Sequence, residues 1–115
     1  MSFTTRDAQA QITSMLQRCE AIQPKFSVGT SQHTLLKHRI QALQVANAIL
    51  DKKEIPSYLL QAALPPIRSA LYKCEKAQAK YPKEAVMYRR LQPQILALQM
   101  AQDAIQAAID KQIQA

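Results

Sequence analysis

Nearly the same nine residues occur twice in this sequence, as RCEAIQPKF at Arg18–Phe26 and as KCEKAQAKY at Lys73–Tyr81. Shifting the sequence by 55 residues against itself aligns the two stretches, and about a third of the positions between 12 and 50 then become identical. Chance rarely gives such a match, and an internal repeat of this length determines the architecture. Because there are only two copies, the pattern indicates one duplicated unit and not a solenoid array.

Each unit has the residue spacing of two amphipathic helices. Apolar residues recur at intervals of three and four, which places them along one face of a helix. The stripes of the first unit are Ala8, Ile12, Met15, Cys19, Ile22 and Phe26, then Leu36, Ile40, Leu43, Asn47 and Leu50. Those of the second are Ile67, Ala70, Cys74, Ala77 and Tyr81, then Met87, Leu91, Ile95, Leu98, Gln102, Ile105 and Ile109. We expect these four stripes to form the core.

Polar residues and prolines mark where the helices begin and end. The pattern Thr4-x-x-Asp7 resembles a capping box at the start of the first helix. A turn is predicted at residues 27–31, with Thr30 or Ser31 as the N-cap of the second helix. The sequence leaves open whether Pro65-Pro66 kinks or restarts the third helix, and it predicts that Pro93 bends the fourth.

The fold class that follows is all-α: an up-down-up-down four-helix bundle built from two tandem-duplicated helical hairpins. At 115 residues, 48% of them hydrophobic, the sequence predicts a single helical-bundle domain at 1–115, with pseudo-repeats at about 4–53 and 57–113. In this arrangement both hairpin turns lie at one end of the bundle. The linker between the hairpins and both termini lie at the other end.

Location and redox state are predicted from what the sequence lacks. No segment approaches the roughly 18 consecutive apolar residues of a membrane span, and the first residues lack the apolar core of a signal peptide. We therefore expect no membrane span and a cytoplasmic location. Cytoplasmic proteins usually keep their thiols reduced, so Cys19 and Cys74 are expected to be free.

The two cysteines occupy equivalent positions on the first and third helices, which are diagonal neighbours in the predicted bundle. Adjacent helix axes are about 8–10 Å apart, so the diagonal exceeds the ~7 Å Cα separation that a disulfide tolerates. His33 and His38 have no zinc-type spacing with either cysteine. The sequence thus predicts small core residues, with no metal, no cofactor and no catalytic residue.

Two repeated carboxylates are predicted to act as structural polar links within the hairpins. Glu20 flanks the first stripe, and the second helix carries His33 and Lys37 at the same height. In the second unit Glu75 faces Tyr88. We expect Glu20 to pair with His33 or Lys37, and Glu75 to pair with Tyr88.

Positive charge is the only global hint about a partner. The formal net charge is +7, and a basic surface attracts nucleic acid, anionic lipid or acidic protein. The predicted fold gathers most of this excess at the end with the hairpin turns. This basic pole comprises Lys25, Lys37, His38, Arg39, Lys76, Lys80, Lys83, Arg89 and Arg90.

No nucleophile with an adjacent base, no nucleotide-binding loop and no metal cluster is visible, so we expect a non-enzymatic protein. The leading hypothesis is a protein–protein interaction module with an unidentified protein partner, and a homodimer is left open. One alternative is nucleic-acid or polyanion binding through the basic pole. Another is an immunity or toxin-neutralising role of the kind that small bacterial helical bundles serve, which is an analogy of fold only.

Overall fold

The computed structural model describes residues 2–114, and within that range it contains four α-helices and no β-strand. The helices are α1 (Thr5–Ile22), α2 (Ser31–Leu50), α3 (Ser57–Gln78) and α4 (Val86–Gln114). A short 3-10 helix at Gln23–Lys25 follows α1 and contains Pro24. The predicted all-α class is confirmed.

Both N-terminal caps that the sequence indicated are formed. The hydroxyl of Thr4 accepts a hydrogen bond from the Asp7 amide, and the Asp7 carboxylate accepts one from the Thr4 amide, which completes a capping box. In the next helix Thr30, and not Ser31, is the N-cap, and its hydroxyl accepts from the His33 amide. These bonds satisfy backbone donors that a helix leaves unpaired at its start.

The C-terminal end of α2 has the hydrogen bonds of a Schellman motif. The Lys53 amide donates to the Ala48 carbonyl, and the Lys52 amide donates to the Ile49 carbonyl, both at 3.0 Å. Lys52 adopts a left-handed backbone with φ of 60°. Glycine normally occupies this position because a Cβ makes the conformation unfavourable.

The prolines inside the helices do not interrupt them. α3 continues through Pro65 and Pro66, and α4 continues through Pro93. A proline cannot donate to the carbonyl four residues earlier, so the remaining hydrogen bonds and the packing hold each helix together. The question that the sequence left open is answered: Pro65 and Pro66 do not restart α3.

The helices pack as neighbours in a pattern that fits a helical bundle. α1 and α3 each pack against both α2 and α4, and α2 also contacts α4. No Cα atom of α1 comes within 8 Å of a Cα atom of α3. The backbones of the first and third helices are therefore not adjacent.

One hydrophobic cluster forms the core and includes residues from all four helices. Its largest fully buried side chains are Ile12, Leu43, Leu60, Ile67, Leu98 and Ile105. All of these except Leu60 belong to the predicted stripes. No polar or charged residue among those described is fully buried.

The predicted stripes continue further along the helices than the core does. In α1 and α3 the buried residues end at Met15 and Leu71, whereas in α2 and α4 they begin at Ala42 and Ile95. Beyond these limits Cys19, Cys74 and Leu91 are partly buried and pack against the core. The expectation that the stripes form the core is wrong for Ile22, Phe26, Tyr81 and Met87, which are exposed.

Candidate functional site

The stripe residues that remain exposed lie around the two hairpin turns. We define the turn segments as residues 22–30 and 79–87. Four residues predicted for the core are exposed in these segments: Ile22 (42%), Phe26 (37%), Tyr81 (40%) and Met87 (40%). Val28 and Val86 are also exposed there. The turn segments thus display large apolar side chains to solvent.

Local hydrogen bonds hold the first turn segment in shape. The Phe26 amide donates to the Gln23 carbonyl, and the Thr30 hydroxyl and amide both donate to the Ser27 carbonyl. Gly29 adopts a φ of 93°, which disfavours residues that carry a Cβ. The backbone that displays Phe26 and Val28 is therefore a defined turn.

The second turn segment is fixed in a comparable way. The Ala85 amide donates to the Pro82 carbonyl at 3.0 Å. The Arg89 guanidinium donates to the Glu84 carbonyl at 2.9 Å, which ties the start of α4 to the turn. These bonds position Val86 and Met87 at the first turn of α4.

The nine residues of the basic pole differ in exposure. Eight of them are exposed and Arg39 is partly buried. Three of the exposed residues lie in the 3-10 helix or the turn segments, and the others lie on the adjoining helix ends or early in α2. In chain order these eight are Lys25, Lys37, His38, Lys76, Lys80, Lys83, Arg89 and Arg90.

None of these cations has a carboxylate partner among residues 2–114. Within residues 2–114 the salt bridge present joins Lys53 to Asp51 at 3.9 Å, outside the basic pole. The Lys76 ammonium lies 6.0 Å from the centre of the Tyr72 ring, at the outer limit of a cation–π contact. The basic pole therefore offers uncompensated positive charge.

The side chain of Arg39 lies partly inside the bundle. Its Nε atom is buried and has no hydrogen-bond partner among the described residues. Its charge acts on the thiols of both Cys19 and Cys74, and Arg18 acts on both as well. Arg39 thus differs from the rest of the basic pole, because part of its guanidinium is buried near the two cysteines.

Both cysteines are free and partly buried. Burial raises the pKa of each thiol, and the positive charges of Arg39 and Arg18 oppose that rise only in part. Since no Cα of α1 lies within 8 Å of α3, the cysteines are beyond the ~7 Å Cα separation that a disulfide tolerates. The thiols are thus protonated small side chains near neutral pH.

The predicted links of Glu20 and Glu75 have no direct bond in the structure. Among residues 2–114, no hydrogen bond or salt bridge joins Glu20 to His33 or Lys37, or Glu75 to Tyr88. A structural role for Glu20 and Glu75 as polar links stays a prediction.

A glutamine makes the connection in the second hairpin instead. The Gln78 amide nitrogen donates to the Tyr88 carbonyl at 3.2 Å and to the Gln92 side chain at 2.7 Å. The repeat pointed to this residue, since Gln23 and Gln78 are equivalent. Glu20 and Glu75 are repeated as well, so the repeat alone does not distinguish Gln78 from Glu75.

The described part of the chain has neither a cluster of metal-binding side chains nor a helix that could span a membrane. No three of its His, Cys, Asp and Glu side chains are grouped closely enough to hold a metal ion. None of its helices is both long enough and apolar enough to cross a bilayer. The exposed turn segments therefore remain the strongest candidate site.

Comparison of the chain with protein-family models, curated proteins and solved structures finds no match.

Proposed function

We propose that this protein is a non-enzymatic, cytoplasmic protein–protein interaction module that binds its partner through the turn segments. The observation that carries the proposal is the exposure of Ile22, Phe26, Tyr81 and Met87 on helical stripes that elsewhere enter the core. Exposed apolar patches rimmed by polar residues are typical of interaction sites. A partner that covers these side chains would bury the part of each stripe that the bundle leaves exposed.

The proposal requires that both turn segments lie at the same end of an up-down-up-down bundle. The core cluster supports this arrangement, because it joins residues 8–15 of α1 and 60–71 of α3 to residues 42–46 of α2 and 95–109 of α4. Two hydrogen bonds support it further. Gln78 bonds to Gln92 and Arg68 bonds to Gln106, as expected for antiparallel α3 and α4.

Duplication of one hairpin is the simplest origin for this arrangement. Residues 55 apart are buried in both halves at Ala8 and Ala63, at Ile12 and Ile67, at Ala42 and Ala97, at Leu43 and Leu98, and at Ala46 and Ala101. α2 and α4 begin at Ser31 and Val86, which are also 55 apart. The two exposed turns are then equivalent surfaces, and Phe26 and Tyr81 are the exposed apolar side chains at matching positions.

Charge indicates the chemistry of the partner. Lys25, Lys80 and Lys83 are exposed beside the apolar side chains, and no carboxylate of the described chain pairs with them. A complementary partner surface carries Asp or Glu around an apolar centre, since opposite charges steer association and fix orientation. We therefore propose an acidic protein surface with apolar anchors as the partner.

Affinity capture with matched variants tests the proposal. Phe26→Ser and Met87→Ser remove an apolar side chain from each turn segment, and Ile113→Ser removes one that is 76% exposed at the far end of α4. Ile113→Ser should change stability by no more than about 0.5 kcal/mol, whereas Phe26 and Met87 keep more than half of their surface covered, so circular dichroism must show that the double variant is folded. We expect the double variant Phe26→Ser/Met87→Ser to lose a specific partner at least tenfold, while Ile113→Ser retains it.

Equal recovery of the partner by the double variant and by Ile113→Ser would refute a turn-segment site. Sedimentation at several protein concentrations distinguishes a second copy of this chain from a different protein. If the partner is a second copy, the wild type self-associates and Phe26→Ser/Met87→Ser does not.

Nucleic-acid or polyanion binding is the second candidate, because the eight exposed cations of the basic pole have no carboxylate partner. Binding that depends on phosphate contacts weakens steeply as salt concentration rises. A gel shift at low salt that disappears at high salt, and that Lys80→Ala/Lys83→Ala weakens, would support it. The absence of a shift at low salt would eliminate it.

A further inference from the structure

A cavity of about 810 Å³ opens where the linker between α2 and α3 meets α4. Its apolar walls come from Ile49 at the end of α2, Ile55 in the linker, Leu60 in α3 and Ala108 in α4. A volume of this size lies within the range of small-molecule sites, roughly 300–1,000 Å³. The cavity is therefore large enough for a ligand with an apolar body.

Backbone and side-chain hydrogen bonds hold the walls in place. The Gln112 amide nitrogen donates to the Ile55 carbonyl at 3.0 Å, which fixes the linker against α4. The Leu59 and Leu60 amides both donate to the Pro56 carbonyl, which fixes the start of α3. A wall that is already ordered loses little entropy when a ligand binds.

Three lysines surround this apolar interior. Lys52, Lys53 and Lys111 line the cavity, against a single carboxylate, that of Glu54. Asp51 offsets part of the charge of Lys53 at 3.9 Å, although both side chains are largely exposed. Two cations, Lys52 and Lys111, have no salt bridge among the described residues.

The Schellman motif at the end of α2 fixes the backbone of Lys52. Its left-handed φ of 60° belongs to that motif, and the residue lines the cavity. The conformation brings the side chain to the same rim as Lys111 of α4.

We propose that this linker cavity binds an aliphatic carboxylate of medium chain length, with the hydrocarbon chain against Ile49, Ile55 and Ala108. The carboxylate lies at the rim, where Lys52 and Lys111 provide the opposing charge. A small inorganic anion would leave the apolar walls wet, and a neutral alkane would leave the lysines without a partner. The combination of an apolar interior with a cationic rim selects a ligand that has both parts.

Isothermal titration with decanoate, decanol and acetate tests the two halves of the site separately. We expect decanoate to bind the full-length protein in a 1:1 complex, and decanol and acetate to bind at least tenfold more weakly. From octanoate to decanoate the affinity should rise by roughly two- to fourfold per methylene. Amide NMR shifts should change at Ile55 and Ala108, and those of Val28 should not.

Charge variants test the rim. Lys52→Gln/Lys111→Gln should weaken decanoate binding about tenfold, while the matched pair Lys25→Gln/Lys83→Gln in the turn segments leaves it unchanged. All four residues are exposed, so both double variants should fold, which circular dichroism verifies. Three results would each overturn the proposal: no binding of decanoate below its micelle concentration, equal binding of decanol, or wild-type affinity in Lys52→Gln/Lys111→Gln.

The proposal is independent of the function assigned to the turn segments. The cavity uses none of their residues, and the titration needs no protein partner. Loss of partner binding in Phe26→Ser/Met87→Ser would therefore leave decanoate binding intact.

Discussion

The side-chain amide of Asn47 donates a 3.1 Å hydrogen bond to the Thr13 hydroxyl, which links α2 to α1. The other polar atom of the same amide, Oδ1, is buried and has no hydrogen-bond partner within residues 2–114. Asn47 thus places one satisfied and one unsatisfied polar group on a core stripe. A polar residue in such a position can fix the register of two helices while it lowers stability.

Asn47→Leu should leave the free energy of unfolding unchanged or raise it by about 1 kcal/mol, because it removes the unsatisfied oxygen. Thr13→Val should lower it by about 0.5–1.5 kcal/mol, because it leaves the amide of Asn47 without its acceptor. Urea denaturation of the single and double variants measures both effects and their coupling. A loss of more than about 2 kcal/mol in Asn47→Leu would mean that the amide stabilises the fold.

Lys52→Gly should raise the free energy of unfolding by about 1 kcal/mol, since glycine adopts the left-handed conformation without the penalty of a Cβ. Lys52→Ala is the matched control, because it removes the same charge and retains the Cβ. Thermal and urea denaturation distinguish the two variants. Equal stability of Lys52→Gly and Lys52→Ala would show that the backbone at this position is not strained.

The capping box makes stability depend on pH. Hydrogen bonds from the Thr4 backbone amide and with its hydroxyl lower the pKa of Asp7 below its usual value. A lowered pKa in the folded state means that the contribution is fully present above about pH 4 and is lost as pH falls through the folded-state pKa. Asp7→Asn should therefore be less stable than the wild type at neutral pH, and the difference should shrink in acid.

Denaturation curves recorded across this pH range measure the effect. Asp103→Asn is the control, since Asp103 is exposed in α4 outside any helix cap. Asp103→Asn should lose stability in acid as the wild type does, whereas Asp7→Asn should lose less. A pH dependence that is identical in Asp7→Asn and the wild type would contradict a role for the capping box.

The two thiols should be slow to react. Because burial raises the pKa of Cys19 and Cys74, the thiolate fraction at neutral pH is lower than in a free cysteine. Alkylation of the folded protein should be slower than alkylation of the urea-unfolded chain. Copper-catalysed oxidation should yield no intramolecular disulfide, and rapid formation of one would show that α1 and α3 approach more closely than in this structure.

Much of the helical structure could be predicted from the spacing of apolar residues, because that spacing shows which face of each helix is covered. Ile12, Leu43, Ile67 and Leu98 were assigned to the core and are buried. The caps at Thr4 and Thr30 followed from local chemistry that needs no tertiary information. Helix formation and capping are local properties, so a single sequence is sufficient for them.

How far the core extends could not be predicted from the same pattern. Phe26 and Met87 have the correct spacing, yet burial depends on whether another helix reaches them, which is a property of the whole bundle. The continuity of α3 through Pro65 and Pro66 depends likewise on packing that offsets the missing hydrogen bonds. The linker cavity was also missed, since its lysines and apolar walls are brought together from separate elements.

Photo-crosslinking in host cells tests the central claim most directly. A photoreactive amino acid is placed at Phe26, at Met87 and, as the control at the far end of α4, at Ile113. If the turn segments are the partner-binding surface, the probes at Phe26 and Met87 should both form an adduct with the same protein, and the probe at Ile113 should not. Absence of that adduct at both turn positions, or an equal yield at Ile113, would contradict the account.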